Sequence, residues 1–165
     1  MNAVQLLRQM HADTKVRFKV ILATEDPIVA GEQWAALQPS LELHERLEDT
    51  YVYTPVAEEC GPGTPLGDWD QQHEADVAVV RQLVEAVNQA DPGTPEWRTR
   101  IGRVMDVLSR HVMDEEGQIF GRIEQFWGPA RLESVGARMQ QQIAAKTRSG
   151  ASKRKQAVAV SARRR

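Results

Sequence analysis

The sequence predicts an all-α protein: an up-down-up-down four-helix bundle with a short fifth helix and a disordered basic C-terminal tail. Three observations predict it. Apolar residues recur at helical spacing through four long segments. Proline- and glycine-rich punctuation separates those segments. No stretch shows the long β-branched alternation of a strand.

The first helix spans about Ala3 to Thr24, with Leu7, Phe18 and Leu22 at helical spacing. Asp26-Pro27 then offers an N-cap followed by a proline in the first turn. The second helix covers roughly Ile28 to Tyr53. Pro39 predicts a kink or break within it, and Pro55 marks its end. Cys60-Gly-Pro-Gly-Thr-Pro-Leu-Gly67 reads as a loop. The third helix runs from about Asp68 to Ala90, with Val77, Val80, Val84 and Val87 on one face. After the loop Asp91-Pro-Gly-Thr-Pro95, Thr94 caps and Pro95 opens a fourth helix that reaches about Phe120. Gly128-Pro129 introduces a shorter fifth helix ending near Lys146. The organisation is a bundle over 1–125, an additional helix over 126–146 and a basic tail over 147–165.

The length of 165 residues suits one domain with a core of useful size. The net charge of −2 hides an asymmetry. Residues 1–145 carry 13 basic and 23 acidic side chains, a net of −10. From Lys146 to Arg165 there are eight basic residues and no acidic one. The acidic body argues against a nucleic-acid surface. It leaves only Lys153-Arg-Lys155 and Arg163-Arg-Arg165 for such a contact, or for anionic lipid. One cysteine, Cys60, makes neither an internal disulfide framework nor a thiolate-rich metal site. There is no apolar run of membrane-spanning length and no signal-peptide pattern at the N-terminus. A cytoplasmic location is the expectation. The four tryptophans read as packing residues.

The informative residues are the histidines. His11, His44, His73 and His111 are the four in the chain, one per predicted helix. Each sits three, four or seven residues from apolar neighbours, which places it on its helix's inward face. Two carry a glutamate at i+4: His44 with Glu48, and His111 with Glu115. A buried carboxylate needs a partner, a proton or a cation. Four imidazoles and two carboxylates exceed the needs of one tetrahedral zinc. They suit a dinuclear centre of iron, manganese or zinc with open positions.

At these residues the chain resembles the hemerythrin-like, HHE cation-binding family. The matching pieces are Leu7-Arg-Gln-Met-His11 with Asp13, His44-Glu-Arg-Leu-Glu48-Asp-Thr-Tyr-Val-Tyr53, Gln72-His73-Glu74, and His111-Val-Met-Asp-Glu115-Glu116-Gly-Gln-Ile-Phe120. The resemblance covers about residues 1–125. It implies a four-helix bundle holding a non-haem centre of two iron ions, oxo- or hydroxo-bridged. It further implies His11, His44, Glu48, His73, His111 and Glu115 as ligands, with Glu48 and Glu115 bridging.

The chain departs from the family at one position. Oxygen-carrying hemerythrins have a fifth histidine four residues after the one in the third helix, and here that residue is Val77. Candidates to replace it are Tyr51, at i+7 from His44, Tyr53 if the helix unwinds toward Pro55, Glu45 and Glu116. Tyr51 and Tyr53 are also the candidate proton donors. A more open, oxygen-richer site suits turnover or sensing of hydrogen peroxide, dioxygen or nitric oxide better than simple oxygen carriage. The functions that follow are a catalase-like enzyme, or a sensor or store of iron, oxygen or nitric oxide without turnover. A metal-free interaction bundle is the contrasting case.

Overall fold

In the computed structural model, backbone is described for residues 1–162 and side chains for residues 1–148. Six helices occur in order: α1 (Ala3–Ala23), α2 (Pro27–Glu48), α3 (Thr54–Cys60), α4 (Trp69–Asn88), α5 (Pro95–Asp114) and α6 (Phe120–Ala162). There is no strand among the described residues. Two wide π-helical turns, Asp49–Tyr53 and Glu115–Ile119, join α2 to α3 and α5 to α6. The bundle therefore has four helical arms: α1, α2 with α3, α4, and α5 running on into the first turns of α6.

Local chemistry sets the ends of these arms. Asn2 and Gln5 form a reciprocal capping box at α1, each side chain accepting from the other's backbone N–H. Asp26 accepts from the N–H groups of Ile28 and Val29, with Pro27 opening α2. Thr94 accepts from Trp97 N–H, with Pro95 opening α5. At the same end of the bundle, the Arg98 guanidinium donates to the carbonyls of Leu22, Thr24 and Gly93. One planar donor fork thus ties the end of α1 to the loop before α5.

Five expectations need correction. Pro39 does not break α2, which runs through it. The proline removes one backbone donor, while Leu37 and Leu47 on either side stay fully buried. Pro55 does not end the second arm. It falls in the first turn of α3, just after the π-turn in which Thr54 N–H reaches back to Asp49 C=O. A new first turn needs no donor at that position. Cys60 is consequently the last residue of α3 rather than part of the loop. The fourth arm passes Phe120 and runs to Gly128, whose backbone (φ 67°, ψ 171°) breaks the helix. Beyond Pro129 the helix continues to Ala162 rather than ending near Lys146. The side chains of the expected disordered tail lie outside the described residues from residue 149 on.

The core forms two clusters. One gathers Leu7, Leu47, Val52, Tyr53, Phe120 and Ile123, and the helix after Gly128 adds Leu132, Val135 and Met139. Gly136 lets that helix approach the N-terminus, since a Cβ there would stand 2.6 Å from Met1 C=O. The other cluster gathers Phe18, Ile21, Trp34, Leu37, Trp97 and Val104. Along each arm the histidine falls between residues of the two clusters. A polar layer is thereby sandwiched between two apolar ones.

Candidate metal centre

His11, His73, His111, Glu48 and Glu115 are all buried, and His44 is nearly so. They form two overlapping groups. Glu48, His73, His111 and Glu115 offer ligand atoms within 4.8 Å of one another, and so do His11, His44 and Glu48. Glu48 belongs to both. Glu115 reaches across as well: its Oε1 is 3.1 Å from His111 Nε2, and its Oε2 is 3.2 Å from His11 Nε2. Glu48 Oε1 is 3.0 Å from His44 Nε2. The imidazoles stand in pairs, His11 Nε2 at 3.0 Å from His44 Nε2, and His73 Nδ1 at 3.2 Å from His111 Nε2.

This donor set fits a cation. Glu48 Oε1 and Glu115 Oε2 are buried and accept no hydrogen bond, although imidazole nitrogens are close. Orphaned buried carboxylate oxygens are costly, and nitrogen–oxygen donor sets of this kind suit iron, manganese or zinc.

The protein's own charges show how strongly the site attracts positive charge. Burial opposes charging of His11, but Glu115 and Glu48 outweigh it and raise its pKa to about 10. Burial likewise opposes charging of His111, and Glu115 chiefly reverses it, to about 9. His73 is raised against burial by Asp49 and the two glutamates. Burial would raise the Glu115 carboxyl, yet His11 and His111 hold it well below the usual range. Glu48 is lowered despite burial and the neighbouring Glu115, through His44 and His11. Protons on His11, His73 and His111 thus balance the carboxylates in the metal-free site, and a cation would take their place.

A set of outer carboxylates orients the rings. His11 Nδ1 is 2.8 Å from Glu116 Oε1. His111 Nδ1 is 3.0 Å from Asp76 Oδ2. His73 Nε2 is 3.0 Å from Asp49 Oδ1. Such partners fix the tautomer and aim of a ligating imidazole. His44 Nδ1 and His73 Nε2 are both buried without a hydrogen-bond partner, so Asp49 meets His73 as an ion-pair contact alone. Sequence reasoning missed Asp49 and Asp76. Asp76 lies three residues after His73 but serves His111 on the next helix, so no local spacing signals it. Asp49 directly follows Glu48, and that adjacency was the available signal.

The candidates for the missing ligand separate cleanly. Tyr53 is buried and its phenol donates to Glu115 Oε1 at 2.5 Å. Burial, then the charges of Glu115 and Glu48, raise its pKa well above the usual 10, so it keeps its proton. Tyr51 packs against the first core cluster, with Arg138 over its ring, and makes no hydrogen bond to the centre among the described residues. The π-turn explains the exchange. A wide turn holds an extra residue, so the i+7 position of a regular helix rotates off the site and a later residue rotates onto it. Glu45 pairs with Arg81, and Glu116 serves the outer nitrogen of His11. Val77 lines a cavity of about 680 Å³ that opens on the imidazoles.

A family model described as the hemerythrin HHE cation binding domain matches residues 2–123. A DNA nickase of Nostoc sp. (strain PCC 7120 / SAG 25.82 / UTEX 2576) is 25% identical over 123 residues, which are 74% of this chain and 34% of that protein. The chain therefore spans about a third of that relative's length. No solved structure matches the chain significantly.

Proposed function

This chain belongs to the hemerythrin HHE cation-binding domain family, and on that premise we propose that it holds two iron ions and disproportionates hydrogen peroxide. The observation that carries the reading is the overlap of the two ligand groups through Glu48, with Glu115 reaching from His111 to His11. Two carboxylates shared between two imidazole pairs suit two metals better than one. His11 and His44 would hold one ion, His73 and His111 the other, and Glu48 and Glu115 would bridge. Bound iron would supply the redox chemistry by which two molecules of hydrogen peroxide yield one of dioxygen and two of water.

The chain's own residues do the rest. Tyr53 holds a proton at Oη against Glu115 and is placed to donate it at the centre. Asp76 and Glu116 orient the rings of His111 and His11 by hydrogen bonds, and Asp49 lies in ion-pair contact with His73. The apolar clusters on both sides limit water. Dioxygen and nitric oxide would be alternative ligands of the same centre, reached through the cavity that Val77 lines. The test is oxygen evolution from peroxide by the iron-loaded chain, with His44→Ala losing both iron and activity. A rate no higher than that of free iron would rule out the enzyme and leave a binding role.

A second reading comes from the nickase relative: iron-dependent cutting of a DNA strand. The eight basic residues from Lys146 to Arg165 favour it, being the part of the chain with charge suited to phosphates. Conversion of supercoiled plasmid to open circle would support it if it persists when added catalase removes peroxide. Loss of nicking under that condition would assign it to diffusing oxidants.

A further inference from the structure

The cavity that takes in the centre is much larger than two metal ions and a small oxidant need. Its volume is about 680 Å³, against roughly 30 Å³ for a water in the liquid. It falls within the roughly 300–1,000 Å³ typical of sites for drug-sized organic ligands. The four imidazoles line one part of it. Beyond them, toward the Trp97 end of the bundle, Phe18, Leu41, Val77, Val80, Met105 and Leu108 form an apolar lobe drawn from all four arms. The exposed lining residues come from α1, α5 and the π-turn after α5, so the mouth lies between those arms. At that mouth Met113 is 72% exposed, an apolar and flexible side chain held in water.

The charges on the lining are nearly all committed. Glu116 serves His11, Asp76 serves His111, and Glu45 pairs with Arg81. Arg8 pairs with Glu124. Lys15 is exposed at the mouth and has no ion-pair or hydrogen-bond partner among the described residues. An apolar lobe behind a free cation has the pattern of a site for an amphiphile with an anionic head.

We infer that the cavity binds a straight-chain aliphatic carboxylate, its chain in the lobe and its head group at Lys15. Val77 is part of this arrangement, since a polar residue there would interrupt the apolar wall. The inference stands on the cavity and not on the redox reading, so iron content and binding are measured separately.

The experiment is calorimetric titration of the full chain, iron-loaded and metal-free, with carboxylates from propionate to laurate. Affinity is expected to rise about three- to fourfold per added methylene until the lobe is filled. Val80→Trp, which fills the lobe, should weaken laurate at least tenfold with helicity and iron content unchanged. Leu108→Phe makes the same test should Val80→Trp fail to fold. Lys15→Glu should weaken laurate but not dodecanol. Laurate binding no tighter than propionate, or tight binding indifferent to the lobe-filling variants, would overturn the inference. Indifference to Lys15→Glu would overturn the placement of the head group.

Discussion

The two halves of the centre are built from the same parts but supported differently. On the α4/α5 side, both imidazoles face an outer carboxylate: Asp76 is hydrogen-bonded to His111, and Asp49 lies in ion-pair contact with His73 without a hydrogen bond. Aromatic rings flank them, with Tyr53 4.6 Å from the His73 ring and Trp69 stacked at 5.9 Å on His111. On the α1/α2 side, His11 is hydrogen-bonded to Glu116 at 2.8 Å and stacks on the ring of Phe120. The outer nitrogen of His44 has nothing. Orientation of a ligand is a property of its second contact, so equal ligand counts do not make equal sites. With a carboxylate at each outer nitrogen, the α4/α5 half is expected to hold metal more tightly than the α1/α2 half.

The strongest way to break this comparison is to remove what the halves share. Glu115→Ala should abolish loading of both halves, because Glu115 touches His11 and His111 alike. Elemental analysis that still finds one tightly held metal would show that the halves are independent. Next in size is the outer carboxylate. Asp76→Ala should weaken metal binding about 10- to 100-fold, with partial recovery in Asp76→Asn, whose amide oxygen still accepts from the ring N–H. Competition with a chelator measures it, and an unchanged affinity would remove Asp76 from any positioning role.

Tyr53→Phe leaves Glu115 without its phenol donor and should cost about 1–3 kcal/mol in denaturant unfolding. Tyr51→Phe, by contrast, should change stability by less than about 0.5 kcal/mol and leave metal content alone. Equal effects of the two would contradict the assignment made by the π-turn.

The metal-free protein gives a further contrast through pH. His11 and His111 titrate near 10 and 9 when folded, above their ordinary 6.5. Their stabilising contribution is therefore complete below about pH 6.5 and lost as pH rises through 9 to 10. Glu115 and Glu48 are lowered, so their contribution is present above about 4.5 and lost as pH falls below it. The metal-free form should be most stable between those limits. Metal binding, which displaces imidazole protons, should strengthen as pH rises from 6 toward 9. Thermal unfolding of both forms across that range checks the sign. A metal-free protein more stable at pH 10 than at pH 6 would contradict it.

The helical periodicity of the sequence carried most of this arrangement. Apolar spacing located the arms, and one histidine per arm with glutamate at i+4 located the buried cluster that the fold brings together. The centre's outer half was hidden for a physical reason. Asp76 acts on a neighbouring helix, and contacts across arms leave no local trace. The choice of Tyr53 over Tyr51 depended on a π-turn, while a 3.6-residue period favours Tyr51. The same wide turn carried the helix past Pro55, where the proline alone signalled an end.

Stepwise titration of the metal-free chain with ferrous iron under anaerobic conditions tests the central claim most directly. The account predicts two equivalents per chain, the first bound more tightly than the second, and Asp76→Ala weakening the first selectively. Saturation at one equivalent, or two equivalents with the tight one untouched by Asp76→Ala, would contradict it.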